Sequence, residues 1–189
     1  MIQALVFLAS AAALVLAHGH HGHDHGHDKG DGVPRAIVHL VGNDVEGNVT
    51  FTGLDNGNIS ITGKVVGMPP GLYGFHIHDK GNINGGCDDT GDHFNPEGKE
   101  HGHPDAEERH VGDLGNIKFN EQKVAIVDFT DHQIKLSGSH NIIGRSLVLR
   151  SETDDYGLGG HHDSKEHGHS GEKVACGVIG ILSESLAAL

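Results

Sequence analysis

A chain of 189 residues has the length of one domain, and its formal charge of −13 argues against nucleic acid or an anionic membrane as partner. It has no Trp and only six Phe, so a core has to be built from Ile, Val and Leu. A core that lean leaves more of the stability to cross-links and bound metal.

The chain opens on ALVFLASAAALVLA, residues 4–17, apolar and uncharged. This run is too short to span a bilayer comfortably. Val15 and Ala17 satisfy the small-residue rule before a cleavage point, so residues 1–17 read as a signal peptide and the mature protein as secreted and extracellular. No Lys or Arg precedes the run, and a membrane anchor is the competing reading. Residues 18–32 carry His18, His20, His21, His23, His25 and His27 among Gly and Asp, with no apolar side chain. Such a tract cannot bury enough surface to fold. It reads as a disordered, metal-collecting arm, since imidazole is a good ligand for copper, zinc and nickel. A folded domain is expected over residues 33–183, with a short tail at 184–189.

Within that domain strand signals recur. They cover Arg35–Val41, Val49–Leu54, Asn58–Val66, Leu72–His78, Gly115–Phe119, Val124–Phe129, Ser146–Arg150 and Val174–Leu182. Asp55-Asn56-Gly57-Asn58 marks a tight hairpin. No useful 3.6-residue periodicity appears after residue 18. The expected fold is all-β: an eight-stranded antiparallel Greek-key barrel or sandwich with two long loops. Asn48 and Asn58 head sequons, which are glycosylation candidates in a secreted chain.

Chemistry concentrates in residues 74–113. His76 and His78 flank Ile77, and side chains two apart on a strand share a face. His93, His101, His110 and Asp113 follow among Gly, Asn and Pro, a loop composition. Three imidazoles and one carboxylate suit a closed tetrahedral zinc site. That leaves His76 and His78 for a second ion, for which copper is the better match. The competing reading is a set of solvated loop histidines.

The motifs Gly74-Phe75-His76-Ile77-His78, Gly91-Asp92-His93-Phe94-Asn95-Pro96, Glu108-Arg109-His110-Val111-Gly112-Asp113, Ile142-Ile143-Gly144-Arg145 and Ala175-Cys176-Gly177-Val178-Ile179-Gly180 closely resemble the copper/zinc superoxide dismutase family. The resemblance runs from about residue 35 to residue 182. It implies zinc on His93, His101, His110 and Asp113, and copper on His76, His78 and the shared His93. It also implies that Asp154 bridges the outer nitrogens of His76 and His101, that Cys87 pairs with Cys176, and that two copies associate through positions such as Ile143 and Ile181. Lys80 stands where many members carry an apolar residue. An even cysteine count in an exported chain also favours the disulfide, with two buried thiols as the alternative. Closing about 90 residues would be worth roughly 4.5 kcal/mol in the chain-entropy account.

Two positions depart from the family pattern. The fourth copper histidine is expected at residue 150, which is Arg. A guanidinium has no lone pair to give and stays protonated. The channel arginine is expected at residue 173, which is Lys; the charge is kept but the planar fork that docks an anion is lost. Both changes resemble the superoxide dismutase-related proteins of insects. The expected function is therefore a zinc-bearing family member with weak or absent dismutation and a metal-binding or copper-handling role. The alternative is an active extracellular enzyme that converts superoxide to oxygen and hydrogen peroxide. His161, His162, His167 and His169, in the loop 151–173, are accessory metal candidates, and any one of them could supply the missing copper ligand.

Overall fold

Alternation of side chains sets the architecture. In the first strand, β1 (Arg35–Gly42), Ala36, Val38 and Leu40 are buried and the residues between them are not. The same period of two marks β2 (Glu46–Gly53) and β3 (Ile59–Val66), as a sheet with one face in the core requires. The computed structural model describes residues 34–182, and the stretch read as a signal peptide, the segment with His18, His20, His21, His23, His25 and His27, and the expected tail lie outside them.

The remaining strands are β4 (Gly71–His78), β5 (Asp113–Phe119), β6 (Val124–Asp131), β7 (Ser146–Arg150), β8 (Lys173–Val178) and the two-residue β9 (Gly180–Ile181). The order β2-β3-β6-β5-β4-β7-β8-β1 closes through pairing of β1 with β2. The result is an eight-stranded antiparallel Greek-key barrel in which β3 pairs with β6 rather than with β4. Closure leaves few free strand edges. The hairpin between β2 and β3 turns at Gly57, whose φ of 81° is open to glycine at little cost. Among the described residues no helix is long and apolar enough to cross a membrane.

The C-terminal segment is not one strand. Ile179 interrupts it: its N–H donates to Arg145 O and its carbonyl accepts from Gly144 N. The side chain is fully buried there; before it the chain pairs with both β7 and β1, and after it with β1 alone. Two short helical turns also lie in the loops, a 3-10 turn at Cys87–Thr90 and α1 at Ser164–His167.

Strands β4 and β7 position the site. Phe75 faces Leu149 and Ile77 faces Leu147 across the pair, all fully buried in the core. The opposite face carries His76, His78, Ser146, Val148 and Arg150, and every residue of β7 is buried. That outer face is covered by the loops 79–112 and 151–172.

Candidate metal centre

The first loop is knitted to β4 by its own backbone. Phe94 N donates to Ile77 O at 2.8 Å, Ile77 N to Gly112 O at 2.9 Å, and Gly112 N to Phe94 O at 2.9 Å. A Cβ on Gly112 would lie 2.2 Å from Ile77 O, so only glycine fits. A disulfide between Cys87 and Cys176 ties the loop to β8. The far end of the loop is held by Arg109, which is fully buried. Its guanidinium donates to Asp113 O at 2.9 Å and pairs with Asp131 at 2.6 Å. Arg109 and Asp131 carried no signal as site residues in the sequence, because they are 22 residues apart and meet each other and a backbone carbonyl only on folding.

These restraints bring His93, His101, His110 and Asp113 together, all buried. Asp113 Oδ1 lies 2.8 Å from His93 Nδ1, 3.0 Å from His101 Nδ1 and 3.2 Å from His110 Nδ1. Four ligands around one zinc ion stand about 3.3 Å apart, so the donor set fits. His101 Nδ1 is near the carboxylate but has no hydrogen-bond partner, as expected of two groups meant for one ion. Burial would raise the Asp113 carboxyl, but the close imidazoles of His101, His110 and His93 hold it far below the usual carboxylate range. Burial would lower His101, yet Asp113 and Asp154 raise it to about 9 in the metal-free protein.

His76, His78 and His93 form a second buried group that could hold an ion. Their tautomers are set from behind. His76 Nε2 bonds Asp154 Oδ2 at 2.9 Å, and His78 Nδ1 donates to Gly91 O at 2.7 Å. The atoms left enclosed without a partner are His76 Nδ1, His78 Nε2 and His93 Nε2. Three orphaned imidazole nitrogens with lone pairs free are a ligand set for copper. Burial pushes His78 and His93 well below the ordinary imidazole value, with cationic or imidazole neighbours adding to it. Asp154, 1% exposed, links both groups, since its Oδ1 also lies 2.7 Å from His101 Nε2.

Arg150 stands on the same face as His76 and His78, 8% exposed, with Nε donating to Ser170 Oγ at 3.1 Å. Lys173, expected as a weakened anion dock, has its ammonium 2.7 Å from Gly91 O, 3.2 Å from Thr90 Oγ1 and 3.4 Å from Asp88 O. All three donors are directed into the metal-bearing loop, and Gly91 O is the acceptor that orients His78. Of the second loop's histidines only His167 approaches the centre, its ring 5.6 Å from that of His93 and its Nδ1 enclosed and unpartnered. It does not join the group of His76, His78 and His93. His161 and His169 stack on each other at 3.7 Å, His169 Nδ1 bonds Asp163, and His162 is exposed. Asn48 is exposed on β2 with its Oδ1 3.1 Å from His39 Nδ1, and Asn58 is partly exposed just before β3.

A closed antiparallel barrel with two buried ligand groups sharing one imidazole defines a metal-binding β-barrel with room for a pair of ions. A family model described as copper/zinc superoxide dismutase matches residues 45–179, and the chain belongs to that family. Among solved structures it is similar to a crystal structure of the clock protein EA4, at 52% identity and a TM-score of 0.78, covering 81% of this chain and 98% of that one.

Proposed function

We propose that this is a secreted, extracellular family member whose zinc half is complete and whose redox half is not. His93, His101, His110 and Asp113 hold zinc; His76, His78 and His93 hold copper through three nitrogens. The role is metal binding or copper handling, with superoxide dismutation weak or absent. One observation carries this reading: Arg150 lies buried on the face of β7 that carries the site, packed with the His76 ring around Gly74, where it cannot donate a lone pair. Bound copper would supply one-electron redox chemistry. The chain supplies three oriented imidazoles, a carboxylate that fixes two of the rings, and a permanent cation on the same face. A relative named a clock protein, rather than a dismutase, fits the same reading. The arm histidines, with His161, His162 and His169, are accessory metal collectors.

The second reading, an active dismutase acting on superoxide, is favoured by the three unpartnered nitrogens of His76, His78 and His93. Homodimer formation draws support from Ile181, 73% exposed beside β1, although Lys80 is exposed too.

Turnover per bound copper, measured by stopped flow for the parent and for Arg150→His, separates the two readings. The variant should gain at least about tenfold. Equal rates would sink the proposal, and near diffusion-limited turnover by the parent would establish the second reading.

A further inference from the structure

The charge on Arg150 is not accounted for by the metal centre. Its Nε is bonded, but among the described residues neither Nη has a hydrogen-bond partner and no carboxylate lies within 4.0 Å. Asp154 accepts from His76, His101 and the Tyr156 amide. Glu172, Asp163 and Asp88 act on the guanidinium only from a distance. A buried cation without a contact partner is costly. The Nη atoms are not among the fully enclosed ones, so they keep a path to solvent.

A second orphan donor stands on the same turn. Ser170 Oγ, which receives Arg150 Nε, donates to His167 O at 2.7 Å, and His167 Nδ1 is enclosed with no partner. Lys173 offers nothing further, because its donors are directed into the loop. Gly74 makes the packing possible: a Cβ there would fall 2.8 Å from the His76 ring, 2.9 Å from Ser170 Cβ and 3.3 Å from Arg150 Cγ.

We propose that the free end of Arg150, with the Nδ1–H of His167, binds a small planar oxyanion of the bicarbonate type. A guanidinium fork matches two coplanar oxygens. Arg150 is only 8% exposed, which limits the guest to a few atoms. The anion supplies the missing counter-charge, so the site exists with or without copper and does not rest on the functional reading above.

The test is calorimetric titration of the copper-free, zinc-loaded full chain with bicarbonate, with chloride and inorganic phosphate as comparators. One saturable site in the millimolar range is expected. Arg150→Gln should weaken it by about tenfold or more, and His167→Ala by about threefold, the loss of one charged and one neutral donor set. Lys173→Gln removes a neighbouring charge but no contact donor, so it should weaken binding clearly less than Arg150→Gln does. Arg150→Lys keeps the charge and loses the fork, so it serves if the glutamine variant does not fold, and it too should bind more weakly. Absence of saturable binding, parent affinity in either Arg150 variant, loss of binding in Lys173→Gln alone, or chloride or phosphate binding as tightly as bicarbonate would each overturn the assignment.

Discussion

Asp154→Asn should weaken copper binding much more than zinc binding. The carboxylate makes three contacts on two oxygens. Oδ1 accepts from the Tyr156 amide at 2.7 Å and lies 2.7 Å from His101 Nε2; Oδ2 faces His76 Nε2 at 2.9 Å. An amide of the same shape has one acceptor oxygen, and it belongs where two donors converge. Its NH2 then faces His76 Nε2, and donor meets donor. His76 must turn, or shift its proton to Nδ1, the atom its metal would need. A buried charge-assisted hydrogen bond is worth about 1.5–3 kcal/mol, which corresponds to roughly 10- to 150-fold in affinity. His101 keeps its bond, so zinc affinity should fall by only a few-fold. Competition titrations with chromophoric chelators, copper on the zinc-loaded protein and zinc on the metal-free protein, give the two ratios. Equal losses for both ions, or a larger loss for zinc, would refute this account of how Asp154 divides its oxygens.

Arg109→Ala leaves Asp131 charged and buried and strips the carbonyl of Asp113 of its donor; a loss of about 3–5 kcal/mol is expected in denaturant titration. Replacing Cys87 and Cys176 together by serine opens a link across 89 residues. It should cost about 4.5 kcal/mol in the chain-entropy account, read from the same titration. In the metal-free protein His101 is raised to about 9. That group stabilises the metal-free fold fully below its ordinary value near 6.5, and the contribution is lost as pH rises through 9. Zinc must displace the proton, so zinc uptake at about pH 7.5 should release about one proton, measurable in weakly buffered solution.

The barrel was legible because its cause is local. Strands with one face in the core repeat every two residues, and turn residues between them punctuate the pattern. The zinc group was legible for a different reason: its ligand types and their motifs stand out even though their spacing is irregular. Two things resisted. The break at Ile179 is marked in the sequence only by Gly180, since it arises from hydrogen bonds to Gly144 and Arg145, remote in sequence. The support for the site was equally hidden. Arg109 works through carbonyls and a carboxylate remote in sequence, and Gly168 works by lacking a side chain: a Cβ there would meet Asp154 Oδ1 at 2.0 Å and His101 Nε2 at 2.6 Å.

Lys173 and Arg150 show where reading residue identity stops. By family position, the lysine should meet the incoming anion and the arginine should only interrupt the copper set. What a cation can do, however, depends on which of its donors remain after the fold's own acceptors have been served. Lys173 is surrounded by the backbone of the loop that the disulfide draws toward β8, and Asp88 O, Thr90 Oγ1 and Gly91 O engage its ammonium. Arg150 projects from β7 onto a face crowded with imidazoles whose proton-bearing nitrogens already have acceptors, and only Ser170 receives it. One position is rich in acceptors and the other poor in them. The anion seat proposed here has therefore moved from Lys173 to Arg150, because backbone oxygens crowd the first position and are missing from the second.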